Sequence, residues 1–234
     1  MTASSPNPAG NGPSVLTISP SNFGYRGRRW SGGHSSPVLR CQSRLDLAAG
    51  LHVLIAPNGA GKTTLMRTLA GLQPLLEGRI DGPSTRLYFP DDLAFAHELS
   101  PAQIFAAMLP AAWQGDAHDL AQTLRLELHK AYGLLSRGNR QKVSLILAEV
   151  HALNQRGALI LQDESLAGLD AWSRQCVGAL WANQNQQNCR IIALHETDAL
   201  RRVDSLLGIR EGMLTQQGVA DPALLPQLCQ QLQS

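Results

Sequence analysis

The sequence predicts an α/β fold: a mostly parallel sheet with helices on both faces and a small helical insertion. Three observations carry this. Strand-like and helical patterns alternate from residue 38 onward. An apolar run at residues 51–56 leads through glycines into a helix, and strand signals disappear between residues 91 and 135. At 234 residues, 44% hydrophobic and 16% charged, the chain has the length and balance of one folded domain, expected over 14–234. Its 20 basic and 18 acidic side chains nearly cancel, so no strong field attracts nucleic acid or anionic lipid, and no nucleic acid partner is expected.

Residues 1–13, dominated by Ser, Pro, Asn and Gly, read as a flexible tail. A strand is expected at 15–19, then a loop at 25–36 whose arginines Arg26, Arg28 and Arg29 form a solvated edge. Residues 38–47 read as one strand, followed by a turn at Ala49-Gly50, the apolar strand 51–56 and a helix from 62 to 72 with Leu65, Met66, Leu69 and Leu72 at helical spacing. A helical subdomain is expected over about 91–150. Its first helix opens at Ser100-Pro101 and its second covers 117–131. A long amphipathic helix at 140–154, a strand at 158–162, a helix near 171–185 and a strand at 190–194 continue the alternation. A hairpin turning at Glu211-Gly212 and a helix at 222–233 close the chain. The cysteines Cys41, Cys176, Cys189 and Cys229 are too scattered for a zinc site or redox motif and read as reduced thiols. No run approaches the ~18 apolar residues of a membrane-spanning helix, so a membrane role would come from another chain.

The segment Ala56-Pro57-Asn58-Gly59-Ala60-Gly61-Lys62-Thr63-Thr64 has the form of a phosphate loop. Glycines at 59 and 61 let successive N–H groups face a phosphate, and the helix N-terminus adds partial positive charge. Lys62 can reach the β- and γ-phosphates of a nucleotide, and the Thr63 hydroxyl can ligate Mg²⁺. Ala56 stands where the strict pattern has glycine. A second segment, Leu159 to Glu164, is an apolar strand ending in two carboxylates: Asp163 suited to the Mg²⁺ shell, Glu164 to polarising a water.

A third segment makes the reading specific. Leu135-Ser136-Arg137-Gly138-Asn139-Arg140-Gln141-Lys142 resembles the signature of ATP-binding-cassette (ABC) proteins, and Ser165 to Asp170 resembles their D-loop. Ile191 to Glu196 resembles the strand ending in their switch histidine, His195. The resemblance implies a P-loop NTPase core with an N-terminal antiparallel β subdomain. It implies that Ser136, Arg137, Gly138 and Asn139 bind ATP held by a second cassette, with Asp170 in the D-loop and His195 contacting the γ-phosphate. It further implies a membrane-spanning permease partner and a place on the cytoplasmic face of the cell membrane.

The chain departs from the family pattern at several points. Asp91-Asp92 follows the strand Leu87-Tyr88-Phe89-Pro90 where the family has a glutamine, which makes Asp91 a candidate metal-facing group through a water. Arg137 replaces a glycine and Asn139 a glutamine; a basic third residue tilts the reading toward export. Gln162 interrupts an apolar strand. Among Phe23, Tyr25 and Trp30, Tyr25 is preferred as the aromatic that stacks on adenine. Two rivals remain at this level: a cassette acting on nucleic acid or the ribosome, and a nucleotide switch with poor turnover. A guanine-nucleotide switch is disfavoured because no Asn-Lys-x-Asp segment is present.

Overall fold

The computed structural model describes residues 14–26, 35–183, 187–195, 199–219 and 225–233. The expected tail 1–13, together with Arg28, Arg29, Trp30 and Glu196, lies outside the described residues. In chain order the strands are β1 (Ser14–Ile18), β2 (Ser21–Tyr25), β3 (Ser36–Cys41), β4 (Leu45–Ala48), β5 (Gly50–Ile55), β6 (Ile80–Asp81), β7 (Arg86–Phe89), β8 (Leu159–Asp163), β9 (Cys189–Ala193), β10 (Ser205–Arg210) and β11 (Met213–Gly218). The helices are α1 (Lys62–Leu69), α2 (Pro101–Met108), α3 (Gln114–Thr123), α4 (Arg137–Asn154), α5 (Ala171–Asn183) and α6 (Leu225–Gln233).

The larger sheet has the order β2-β3-β11-β10-β5-β9-β8-β7. Its centre, β10-β5-β9-β8-β7, is parallel throughout, and the β10–β11 and β2–β3 pairs are antiparallel. A smaller antiparallel sheet, β4-β1-β6, lies at the N-terminal side. Both faces of the central strands are covered, as parallel strands require. On β5, Leu51, Val53 and Ile55 enter one apolar cluster with Val143, Ile146 and Val150 of α4, while Leu54 enters the other with Leu65, Met66 and Leu69 of α1. This division explains why β5 reads as a continuous apolar run rather than an alternating one.

Four expectations are corrected, the last of them the end of α1. Residues 38–47 are two strands in two different sheets, β3 and β4, separated by the exposed Gln42, Ser43 and Arg44. The sequence predicts no strand over 21–25, where β2 lies and pairs antiparallel with β3; residues 27–34 of the loop expected at 25–36 lie outside the described residues. A Cβ at Gly24 would lie 2.1 Å from the Ser36 carbonyl oxygen, so the bulge there admits only glycine. The helix expected at 117–131 spans Gln114–Thr123 instead and ends where Arg125 adopts φ 55° and the Lys142 ammonium donates to the Leu124 carbonyl at 2.8 Å.

Helix ends follow local chemistry. α2 begins with a capping box in which the Ser100 hydroxyl accepts from the Gln103 amide and the Gln103 side chain accepts from the Ser100 amide. α1 stops earlier than the expected Leu72. Gly71 takes φ 78°, its N–H donates to Thr68 O, and Leu72 N–H donates to Arg67 O, a Schellman closure that turns Leu72 out to solvent.

Candidate functional site

Strand β5 delivers the chain into the loop 56–61, and α1 begins on its far side. Gly59 and Gly61 adopt φ 77° and 105°, left-handed values that let the backbone curl toward the start of α1. A Cβ at Gly61 would meet Leu39 Cδ2 at 2.7 Å and Val38 Cγ1 at 2.9 Å, so β3 sets the floor of the loop. Ala56 is buried and keeps a negative φ, which explains why its methyl is tolerated where the strict pattern has glycine.

Lys62 is buried, with its ammonium donating to the carbonyls of Ala56 at 3.0 Å and Pro57 at 3.4 Å. The same ammonium lies 3.3 Å from His195 Nε2 and 3.7 Å from Glu164 Oε1. β8 brings the two carboxylates from the neighbouring side: the Thr63 hydroxyl donates to Asp163 Oδ2 at 3.0 Å, and Tyr88 OH donates to the same oxygen at 3.4 Å. His195 Nε2 is 2.9 Å from Glu164 Oε1.

Glu164 sits immediately beyond β8 with φ 52°, a left-handed conformation costly for a non-glycine residue. Its N–H donates to Ala193 O at 3.0 Å, and its carbonyl accepts from Gln141 Nε2 at 3.2 Å, so β9 and α4 hold the turn from both sides. Burial pushes the Glu164 carboxyl up to about 7; Lys62 opposes the shift, and the charges of Asp163 and Asp91 add to it. Burial and then Lys62 lower His195 from its ordinary value, with Asp163 opposing.

These groups line one cleft of about 700 Å³, whose wall also includes Tyr25, Asn58, Gly59, Gly61, Thr63, Thr64, Asp91 and Arg137. Tyr25 is half exposed at the rim, its hydroxyl 3.3 Å from Thr64 Oγ1. Val38 and Ala167 complete the wall. Sequence reasoning took Val38 only as the start of a strand, and Ala167 only as part of the segment resembling a D-loop, because strand pairing and the turn after β8 are what bring them to the cleft. Asp91 lies in the turn after β7, at the cleft's edge.

The remaining candidates stand outside the cleft wall. Ala60 lies in the loop, packed toward the cluster under α1. Ser136 is the N-cap of α4, accepting from the Asn139 amide at 3.2 Å. Gly138 backs onto the turn after β8, where an added Cβ would lie 2.5 Å from Gly168 O. Asp170 N-caps α5, accepting from the Ser173 amide at 2.8 Å, and pairs with Lys142 at 3.0 Å. These bonds, led by that to Ser173, hold its carboxyl well below the usual range.

The family model described as ABC transporter matches residues 43–167, more than half of the chain. The chain belongs to the ABC transporter family. Among curated relatives, the aliphatic sulfonates import ATP-binding protein SsuB 2 of Frankia alni is 32% identical over 81% of this chain and 77% of its own. The lipoprotein-releasing system ATP-binding protein LolD of Granulibacter bethesdensis is 29% identical over 80% of this chain and 92% of its own. A solved structure of a putative ABC transporter ATP-binding protein from Pyrococcus furiosus superposes with a TM-score of 0.66, at 20% identity, over 83% of this chain and 96% of that one, a likeness of fold.

Gln162, the polar residue inside a buried strand, has a structural explanation that this ABC cassette's sequence did not reveal. Its side-chain carbonyl accepts from Arg190 Nη2 at 2.9 Å, and its amide donates to Glu149 Oε1 at 3.4 Å. Glu149 also accepts from Arg190 and from Trp181 Nε1 at 2.9 Å. The network ties α4, α5, β8 and β9 together directly behind Asp163.

Proposed function

We propose that this chain is the ATP-hydrolysing subunit of a transporter, binding Mg-ATP at residues 56–64 and driving a separate membrane-spanning permease. The observation that carries the reading is the convergence of Lys62, the Thr63–Asp163 pair and the Glu164–His195 pair on one cleft. The whole of 14–234 acts as one nucleotide-binding domain, with 91–150 as its helical subdomain.

The backbone amides of Asn58 to Thr64 and the start of α1 receive the β- and γ-phosphates, with Lys62 adding a full positive charge. Tyr25, at the rim, stacks on the base. Thr63 and Asp163 present hard oxygen ligands 3.0 Å apart. That suits Mg²⁺, which takes one or two protein oxygens and completes its shell with water and substrate phosphate; Asp91, on the same cleft wall, would add a further carboxylate toward the ion. Bound there, Mg²⁺ would neutralise charge on the phosphates and polarise the bond that breaks. Glu164 orients the water and draws its proton as the oxygen attacks γ-phosphorus; ADP and inorganic phosphate leave. His195 contacts the γ-phosphate and holds the Glu164 carboxylate in place.

A second cassette supplies Ser136, Gly138 and Asn139 across the dimer, with Asp170 in the turn that faces it. No helix among the described residues is long and apolar enough to cross a membrane, so membrane attachment comes through the permease, on the cytoplasmic face. The basic Arg137 tilts the direction toward export. Phosphate release from Mg-ATP by purified wild-type chain, compared with Glu164→Gln, tests the reading. Equal rates in the two would remove Glu164 from the mechanism, and no nucleotide binding by wild type would remove the site.

A further inference from the structure

Tyr88 is not part of the cleft wall, yet its hydroxyl is bonded to a carboxylate that is. β7 and β8 run parallel with Tyr88 opposite Leu161, so Asp163, two residues further along β8, projects from the same face of the sheet. On that face Tyr88 packs against the apolar cluster beneath α1, which leaves the phenol oxygen 3.4 Å from Asp163 Oδ2. Arg67 of α1 faces the same hydroxyl. A guanidinium only donates, so the phenol oxygen accepts on that side and its proton goes to the carboxylate.

Asp163 Oδ2 therefore has two donors from two elements, Thr63 of α1 at 3.0 Å and Tyr88 of β7 at 3.4 Å. Asp163 Oδ1 takes no hydrogen bond among the described residues. One donor would let the carboxylate turn about its Cβ–Cγ bond; two donors from different directions pin it. Oδ1 is then the oxygen left to offer to an ion or to the ion's water shell. The chemistry of divalent cations makes this matter. Mg²⁺ is small and octahedral and accepts single oxygens, whereas Ca²⁺ gathers more oxygens in a looser shell and often grips a carboxylate through both. A carboxylate with one oxygen already committed suits the first ion and handicaps the second.

We propose that Tyr88 is a positioning residue: by holding Asp163 Oδ2 it fixes the carboxylate as a one-oxygen donor and favours Mg²⁺ over Ca²⁺ as the ion that accompanies the nucleotide. This rests on the reading of the cleft as an ATP site in which Thr63 and Asp163 face the ion. Tyr88 itself touches neither nucleotide nor ion.

The test is equilibrium binding of ATP to wild type and to Tyr88→Phe under three conditions: with a chelator, and with Mg²⁺ or Ca²⁺ at concentrations that saturate the nucleotide. Phenylalanine keeps the ring in its apolar contacts and removes only the donor. Thermal melts confirm folding, and Tyr88→Leu stands in if the phenylalanine variant does not fold. Affinity for ATP without a cation is expected to change less than about twofold. Mg-ATP is expected to weaken roughly tenfold, the scale on which a metal-facing carboxylate loses function with its supporting hydrogen bond. Ca-ATP weakens less, so the preference between the two ions narrows. Unchanged Mg-ATP affinity overturns the proposal. Equal weakening of all three forms also overturns it, since that marks a ring that merely props the phosphate loop, and equal weakening of Mg-ATP and Ca-ATP removes the selectivity. A wild-type chain that binds no ATP, or binds it equally with and without a cation, is a separate failure, of the ATP site itself, and takes this proposal with it.

Discussion

At the scale of single residues, Glu164 carries the greatest strain and the greatest electrostatic perturbation in the cleft. A left-handed φ of 52° on a carboxylate-bearing residue persists because Ala193 O and Gln141 grip its backbone from two elements. Replacing it with Gln keeps shape and removes the base. ATP turnover is expected to fall by roughly 10²–10⁴-fold with nucleotide binding retained, as read by phosphate release beside equilibrium binding. The raised carboxyl also has a stability signature. Its pKa goes from an ordinary 4.5 up to about 7, so the folded, nucleotide-free protein favours the protonated form. The stabilisation is fully present below about 4.5 and is lost as pH rises through about 7. His52, His151 and His195 are all lowered and titrate with the opposite sign, so the clean quantity is a difference. The thermal midpoint of wild type is expected to drop relative to that of Glu164→Gln across this window, and parallel curves would contradict the assigned environment.

At the scale of elements, close approach overrides propensity. Gly178 lies inside α5, where alanine ordinarily adds about 1 kcal/mol of helix stability. Here a Cβ would stand 2.0 Å from the Ala199 carbonyl oxygen, a backbone atom that cannot swing aside. The steric cost of overpacking, typically 1–3 kcal/mol, exceeds the propensity gain. Gly178→Ala is therefore expected to lower stability in urea titrations. Gly61→Ala meets both obstacles at once, a φ of 105° and the side chains of Val38 and Leu39 under 3 Å away. It should lose ATP binding together with stability, measured by nucleotide titration and by thermal melting.

At the scale of the whole molecule, the Glu149–Arg190 pair joins both helices behind the sheet to its central strands. Both side chains are almost fully buried, and Gln162 and Trp181 share the carboxylate. Truncating one partner strands the other charge away from water, a loss of about 3–5 kcal/mol. Glu149→Ala is expected to destabilise by that amount in chemical denaturation. A much smaller loss would mean that water or neighbours take over the arginine. The same variant should weaken Mg²⁺-dependent nucleotide binding, because Gln162 fixes the end of β8 on which Asp163 sits.

Much of this was legible in the chain alone. The glycine-rich turn between β5 and α1, the acidic strand end, the helix start at Ser100-Pro101 and the hairpin at Glu211-Gly212 each depend on spacings of a few residues, and each lies where the sequence placed it. Such features are written locally, because a cap, a turn or a left-handed glycine is satisfied by atoms within one or two turns of chain. Tertiary structure alone decided that residues 38–47 divide between two sheets, that Val38 floors the phosphate loop, and that Gln162 belongs to a buried ionic network. These outcomes depend on which distant strands and helices pack together, and burial of apolar surface selects that pairing without leaving a short-range pattern.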